Sequence, residues 1–211
     1  LGLGVSTFVM LSTESLLSIT FTASLARYGG DLAVGAMTII TSVSQLVTLP
    51  LQGVCQGGQP IISYNYGAGH GDRVKKTFFL VFSVCMTYTV LFWAAVLLFP
   101  SVFAGIFTTN AELSGYTSWA LRVYMAGIFA CGAQCSCQQS FMALGQAKVS
   151  LLLACLRKIV LLIPFILILP HVLPFDPVFS VFLAEPVSDI AAAVITTITF
   201  LTRFNRILEM R

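Results

Sequence analysis

Solid apolar runs dominate the chain, each about as long as a helix needs to be to cross a hydrocarbon layer. Six can be drawn, over residues 1–26, 32–64, 77–99, 116–142, 149–169 and 178–202. Polar punctuation separates them: RYGGD after the first, NYGAGHGDRVKK after the second, FPSVFAGIFTTNAEL after the third, then ALGQAK and PHVLPFDP. No connection exceeds a loop, so no soluble domain is expected. Transmembrane β-strands would alternate apolar and polar residues over segments of about ten, and these runs do not. The pattern predicts an all-α integral membrane protein, a six-transmembrane-helix bundle.

Composition strengthens that reading. The 211 residues are 57% hydrophobic and 9% charged, where an ordinary soluble domain is about 45–50% apolar and about 25% charged. The basic residues give the bundle an orientation. Arg73, Lys75, Lys76, Lys148, Arg203, Arg206 and Arg211 fall on one set of connections, whereas Arg27 shares the other set with Asp31, Glu112 and Asp176. The positive-inside rule puts the first set in the cytoplasm, and six spans then leave both ends of the segment there, in a multi-pass protein of the cell membrane. The net charge of +3 reports topology, because the basic residues do not gather into a nucleic-acid footprint. The first run has no basic n-region and is too long for a signal peptide. The chain begins at Leu1, so a trimmed or partial chain is expected.

Polar residues inside the runs carry the candidate chemistry, since a charge in the bilayer normally faces a wet interior or a partner. Glu14 lies mid-run in the first helix, and Thr7, Ser18 and Thr22 share its face, making one polar stripe that is expected to line a cavity. A carboxylate there either carries a proton or sodium ion, or packs by hydrogen bonding to a neighbouring helix. Arg157 and Lys158 interrupt the fifth run, and as neighbours they point about 100° apart. Both cannot face one cavity equally well, so Arg157 is placed inward, and the plain alternative for Lys158 is a side chain that snorkels toward the interface. Gln134 and Gln138 share a face of the fourth run with Cys131, while Gln139 lies beside Cys135. Their amides bind either a ligand or a neighbouring helix. Glu185 and Asp189, four apart, are placed at the outer start of the sixth helix, in capping, packing or functional roles. Pro50, Gly53, Gly57, Gly58 and Pro60 predict a break in the second helix, with Gln56 and Gln59 in its cytoplasmic half.

No enzyme is predicted. GAGHGD at 67–72 lacks the preceding strand and the GK[ST] ending of a phosphate loop. The two histidines, His70 and His171, fall in loops on opposite sides of the membrane, leaving no base within reach of a nucleophile. Cys55, Cys85, Cys131, Cys135, Cys137 and Cys155 are read as small apolar packing residues, with no metal site and no cofactor.

The runs LPLQGVCQGGQPIISYNYGAGHGDRVKK, QQSFMALGQAKVSLLLACLRKIVLLIPFILILP and EPVSDIAAAVIT occur in this order. Together they closely resemble the MATE (multidrug and toxic compound extrusion) transporters, especially the MepA-like branch. The resemblance covers essentially the whole chain. It implies a twelve-helix antiporter of two six-helix lobes, of which residues 1–211 correspond to the C-terminal lobe and the N-terminal lobe is absent. It further implies exchange of sodium ions or protons for outward movement of amphipathic, often cationic drugs, with Glu14 matching a cation-coupling acidic residue. Where some members carry an aspartate on the fourth helix of this lobe, this sequence has Gln134, Gln138 and Gln139. On this reading Ser18, Gln56, Gln134, Gln138 and Arg157 are expected to line the substrate cavity. The expected partners are the bilayer, small-molecule drugs or organic cations, and the N-terminal lobe, with no nucleic acid. A lipid-linked saccharide flippase would need a more strongly basic cavity than Arg157 and Lys158 supply. A non-transporting membrane scaffold would leave the Glu14 stripe unexplained.

Overall fold

The computed structural model describes the backbone of residues 2–209 and the side chains of residues 12–204, 207 and 208. The side chains of Thr7, Arg206 and Arg211 lie outside the described residues. Helix α1 spans Gly2–Gly67 and bends at Gly30, whose φ of 61° and ψ of −158° leave helical space. A positive φ of this kind suits glycine, which has no Cβ to clash. The bend divides α1 into two arms, 2–29 and 31–67. Helix α2 covers Gly71–Leu98, entered through a turn at Gly69. A short helix α3, Pro100–Phe107, occupies part of the connection expected to be a loop. It starts at a proline, which fits the first helical turn because no donor is needed there. Asn110 caps α4, Ala111–Tyr124, by accepting from the backbone N–H groups of Glu112 and Leu113.

The irregular backbone lies elsewhere than the prolines of the second run suggest. Helical geometry continues through Pro50 and Pro60, correcting the expected break there. Proline's fixed φ is itself helical, and each ring removes only one donor, so a long helix can absorb the loss with a gentle bend. The interruptions fall instead in the fourth and fifth runs. Between α4 and α5 (Cys131–Ala143) the chain tightens into a 3₁₀ segment, Met125–Ala130. Two side chains of α2 donate to carbonyls of that segment: the Trp93 indole to Ala126 at 3.0 Å and the Thr89 hydroxyl to Phe129 at 3.2 Å. The 3₁₀ segment is thus tied to α2 by side-chain donors within the protein, the Thr89 hydroxyl being shared with the Cys85 carbonyl of its own helix.

The fifth run comprises α6 (Ala147–Cys155), a π-helical segment (Leu156–Leu162) and α7 (Ile163–Val172). Pro164 lacks the N–H that would bond the carbonyl of Val160 in an α-helix. The ladder changes register just before it, and the N–H of Ile163 reaches back five residues to the Lys158 carbonyl. Helix α8, Pro177–Glu209, closes the bundle.

Among the described residues, three lengths qualify by apolar character as single membrane crossings: Gly71–Leu98, Ala147–Val172 and Pro177–Phe204. A fourth, Ser12–Gly67, has 56 residues and, bent at Gly30, is long enough for two. Its two arms, α2, the α4–α5 rod, the α6–α7 rod and α8 form the bundle. Two large apolar cores hold it, beside a smaller cluster of Leu51, Cys55, Val81 and Cys85. The larger gathers Phe21, Leu25, Ile40, Leu121, Met125 and Phe182, among others. The second joins Phe78, Phe141, Phe200 and Phe204 with Ile62 and Leu153, its rings at centroid separations of 4.5–5.2 Å. Gly127 lets α8 come close, since a Cβ there would sit 2.7 Å from the Pro186 Cα.

Candidate functional site

Between the two cores the bundle carries its charges. Along α8 the larger core takes residues up to Ala184 and the second resumes at Phe200, with Glu185 and Asp189 in the gap. Both lie well inside the helix, which begins at Pro177, so the placement at its outer start is corrected. Their spacing of four puts both carboxylates on one face, and that face meets Arg157 of the π segment. Arg157 Nε donates to Asp189 Oδ1 at 2.7 Å, and Nη2 donates to Glu185 Oε1 at 3.1 Å. Nη2 also stands 2.5 Å from Asp189 Oδ1. Glu185 and Asp189 are 8% and 2% exposed; buried carboxylates of this kind need a partner, and the guanidinium fork supplies one for both.

Lys158, the next residue, pairs with Glu14 of the first arm of α1. It does not snorkel toward the interface, so that alternative is not the one the structure takes. A π turn carries an additional residue relative to an α turn, which narrows the angle between neighbouring side chains. Arg157 and Lys158 therefore both border one cavity of about 470 Å³. Glu14, Gln134, Gln138, Gln139 and Glu185 line it as well, with Tyr124 and the second-arm residues Thr41, Ser44, Gln45, Thr48 and Gln52. Two buried acceptors at this cavity, Gln134 Oε1 and Glu185 Oε2, have no hydrogen-bond partner. Tyr124 interacts with the Glu185 carboxyl, but outside ordinary hydrogen-bond geometry toward Oε2.

The remaining expected residues are placed differently. Ser18 and Thr22 face an adjoining cavity of about 280 Å³ between the arms of α1, which shares Thr41 with the larger one. Gln56 is exposed and stands outside the lining of both cavities. Cys55 and Cys85 are buried with their sulfurs 3.6 Å apart, in a small cluster with Leu51 and Val81, whereas Cys131 and Cys135 are part-exposed and border the larger cavity.

The second-arm stripe has a sequence signal of its own, since Thr41, Gln45, Thr48 and Gln52 recur at the helical spacing of three to four residues among the prolines and glycines of that run. Arg122 is exposed on α4 and does not border the main cavity.

Comparison with known proteins decides the family. A model of the MatE family matches residues 7–168. The chain belongs to the MatE family. Multidrug export protein MepA of Staphylococcus aureus (strain NCTC 8325 / PS 47) is 26% identical over 200 residues, covering 92% of this chain and 42% of that protein. The fold matches a multidrug resistance MATE family transporter of the MOP superfamily in its inward-facing conformation, with a TM-score of 0.89 at 17% identity over 98% of this chain. An outward-facing conformation of such a transporter gives 0.88 at the same identity and coverage. The chain spans 47% and 46% of those two structures, and 42% of MepA, so it corresponds to a little under half the length of the relatives it matches. The MatE fold thus accounts for the all-α membrane bundle.

Proposed function

We propose that this chain is the C-terminal lobe of an exporter that exchanges sodium ions or protons for amphipathic, often cationic compounds by alternating access. The observation that carries the reading is the cavity between the apolar cores, lined by Glu14, Glu185, Arg157 and Lys158, with the buried Asp189 as a third carboxylate paired to Arg157. Charges this deep in a membrane bundle normally mark an ion or substrate path. An excess of acid attracts organic cations, whereas a flippase for a lipid-linked pyrophosphate would call for the opposite balance.

Glu14 is 57% exposed, unlike the other two carboxylates, which are almost fully buried. It is the carboxylate best placed to meet an ion from solution, while Gln134 and Gln138 offer amides to a polar part of a substrate. An N-terminal lobe of the same transporter is the expected partner across the open side of the cavity. The lobe fits inward-facing and outward-facing relatives about equally well, which supports rocking of two lobes as near-rigid bodies. The setting proposed is the cell membrane, with both ends of this segment cytoplasmic.

Glu14→Gln in the full-length protein, assayed in vesicles for dye efflux down an imposed sodium or proton gradient, tests the reading. Efflux is expected to lose its dependence on the gradient. Unchanged efflux and coupling remove Glu14 from the mechanism.

A further inference from the structure

Lys158 is the one cation of the site with a single carboxylate partner among the described residues, since Arg157 bridges two. We propose that Lys158 is a tethered cation that occupies Glu14 in the unloaded protein and swings to the free oxygen of Glu185 when a monovalent cation takes its place. The inference rests on the exporter reading and specifies how its site selects a ligand.

Three observations support the swing. Glu185 Oε2 is buried and unpartnered, and the cavity that Glu185 lines is the one Lys158 and Glu14 line. Glu185 also acts on Lys158 through space. Leaving a buried carboxylate oxygen without a donor is costly, so an ammonium released from Glu14 has a destination. Finally, Arg157 is held by Asp189 and Glu185, which fixes the π segment while the flexible lysine stem remains able to move.

Charge counting identifies the ligand class. With all five groups ionised, three carboxylates and two cations leave the site at −1. A bound monocation brings it to zero in three one-to-one pairs: ligand with Glu14, Lys158 with Glu185, and Arg157 with Asp189. A dication would leave an excess positive charge in a low-dielectric setting.

Equilibrium binding of tetraphenylphosphonium, a permanent monocation, to the purified full-length protein tests this. Lys158→Met removes the competitor and is expected to tighten binding roughly threefold to tenfold, the scale of a partly exposed ion pair. Glu185→Gln removes the destination and is expected to weaken binding by a similar factor, while its amide oxygen still accepts from Arg157. Equal or weaker binding by a folded Lys158→Met variant overturns the proposal. Should that variant unfold, unchanged affinity in Glu185→Gln overturns it instead. Failure of the unaltered protein to bind the probe counts against the exporter reading and this inference together, whereas binding that ignores Lys158 and Glu185 counts against this inference alone.

Discussion

Arg157 donates from Nε to Oδ1 of Asp189 at 2.7 Å, joining side chains 32 residues apart in the chain. The contact ties the π segment of the fifth rod to the interior of α8, and the same guanidinium reaches Glu185 one turn away.

Removing this cation strands two buried carboxylates. Arg157→Met in the full-length protein is expected to cost about 3–5 kcal/mol, the range for breaking a buried ion pair from one side. Thermal unfolding in detergent measures it. Adding Asp189→Asn and Glu185→Gln to the same variant is expected to recover part of the loss, because the carboxylates then no longer need a counter-charge.

Gly127 and Gly57 make a matched pair of substitutions. Gly127→Ala drives a Cβ to 2.7 Å from the Pro186 Cα and 2.8 Å from its carbonyl oxygen, and is expected to destabilise by about 1–3 kcal/mol through overpacking. At Gly57 nothing lies within 4 Å, and alanine is expected to stabilise the helix by about 0.5–1 kcal/mol. Unfolding midpoints of the two variants should move in opposite directions.

Trp93→Phe keeps a ring near Phe129, whose centroid lies 5.6 Å from the native indole, but deletes the donor to the Ala126 carbonyl. The Ala126 carbonyl in the 3₁₀ segment then loses its side-chain donor, at an expected cost of about 0.5–1.5 kcal/mol. Local hydrogen exchange over Met125–Ala130 should rise together with the loss of thermal stability. Unchanged exchange and stability would mean that the indole bond contributes nothing to holding the segment.

Cys55 and Cys85 are 2% and 1% exposed. Neither is expected to react with a maleimide in the folded full-length protein, and both should label once it is unfolded in a strong ionic detergent. Peptide mass spectrometry distinguishes them from the other four thiols. Rapid labelling of either thiol in the folded state would contradict the packing of α1 against α2.

The sequence by itself determined the membrane class, because the length and apolarity of the runs leave a soluble fold no way to hide that surface. It also marked the charged side chains, since Glu14, Arg157, Lys158, Glu185 and Asp189 stand out against 9% charged composition. Periodicity placed Glu185 and Asp189 on one face, and Gln134 with Gln138, because those relations are local to one helix.

Only the tertiary structure decided which charges meet. Glu14 and Lys158 are separated by 144 residues, and no local rule links them. The π segment that turns Lys158 into the cavity depends on a register change before Pro164, whereas Pro50 and Pro60 passed through their helix without interrupting it. A proline reports a missing donor in every sequence. Whether the chain answers by bending, by shifting register or by borrowing a neighbour's donor depends on what is packed beside it, and that is a property of the assembled bundle.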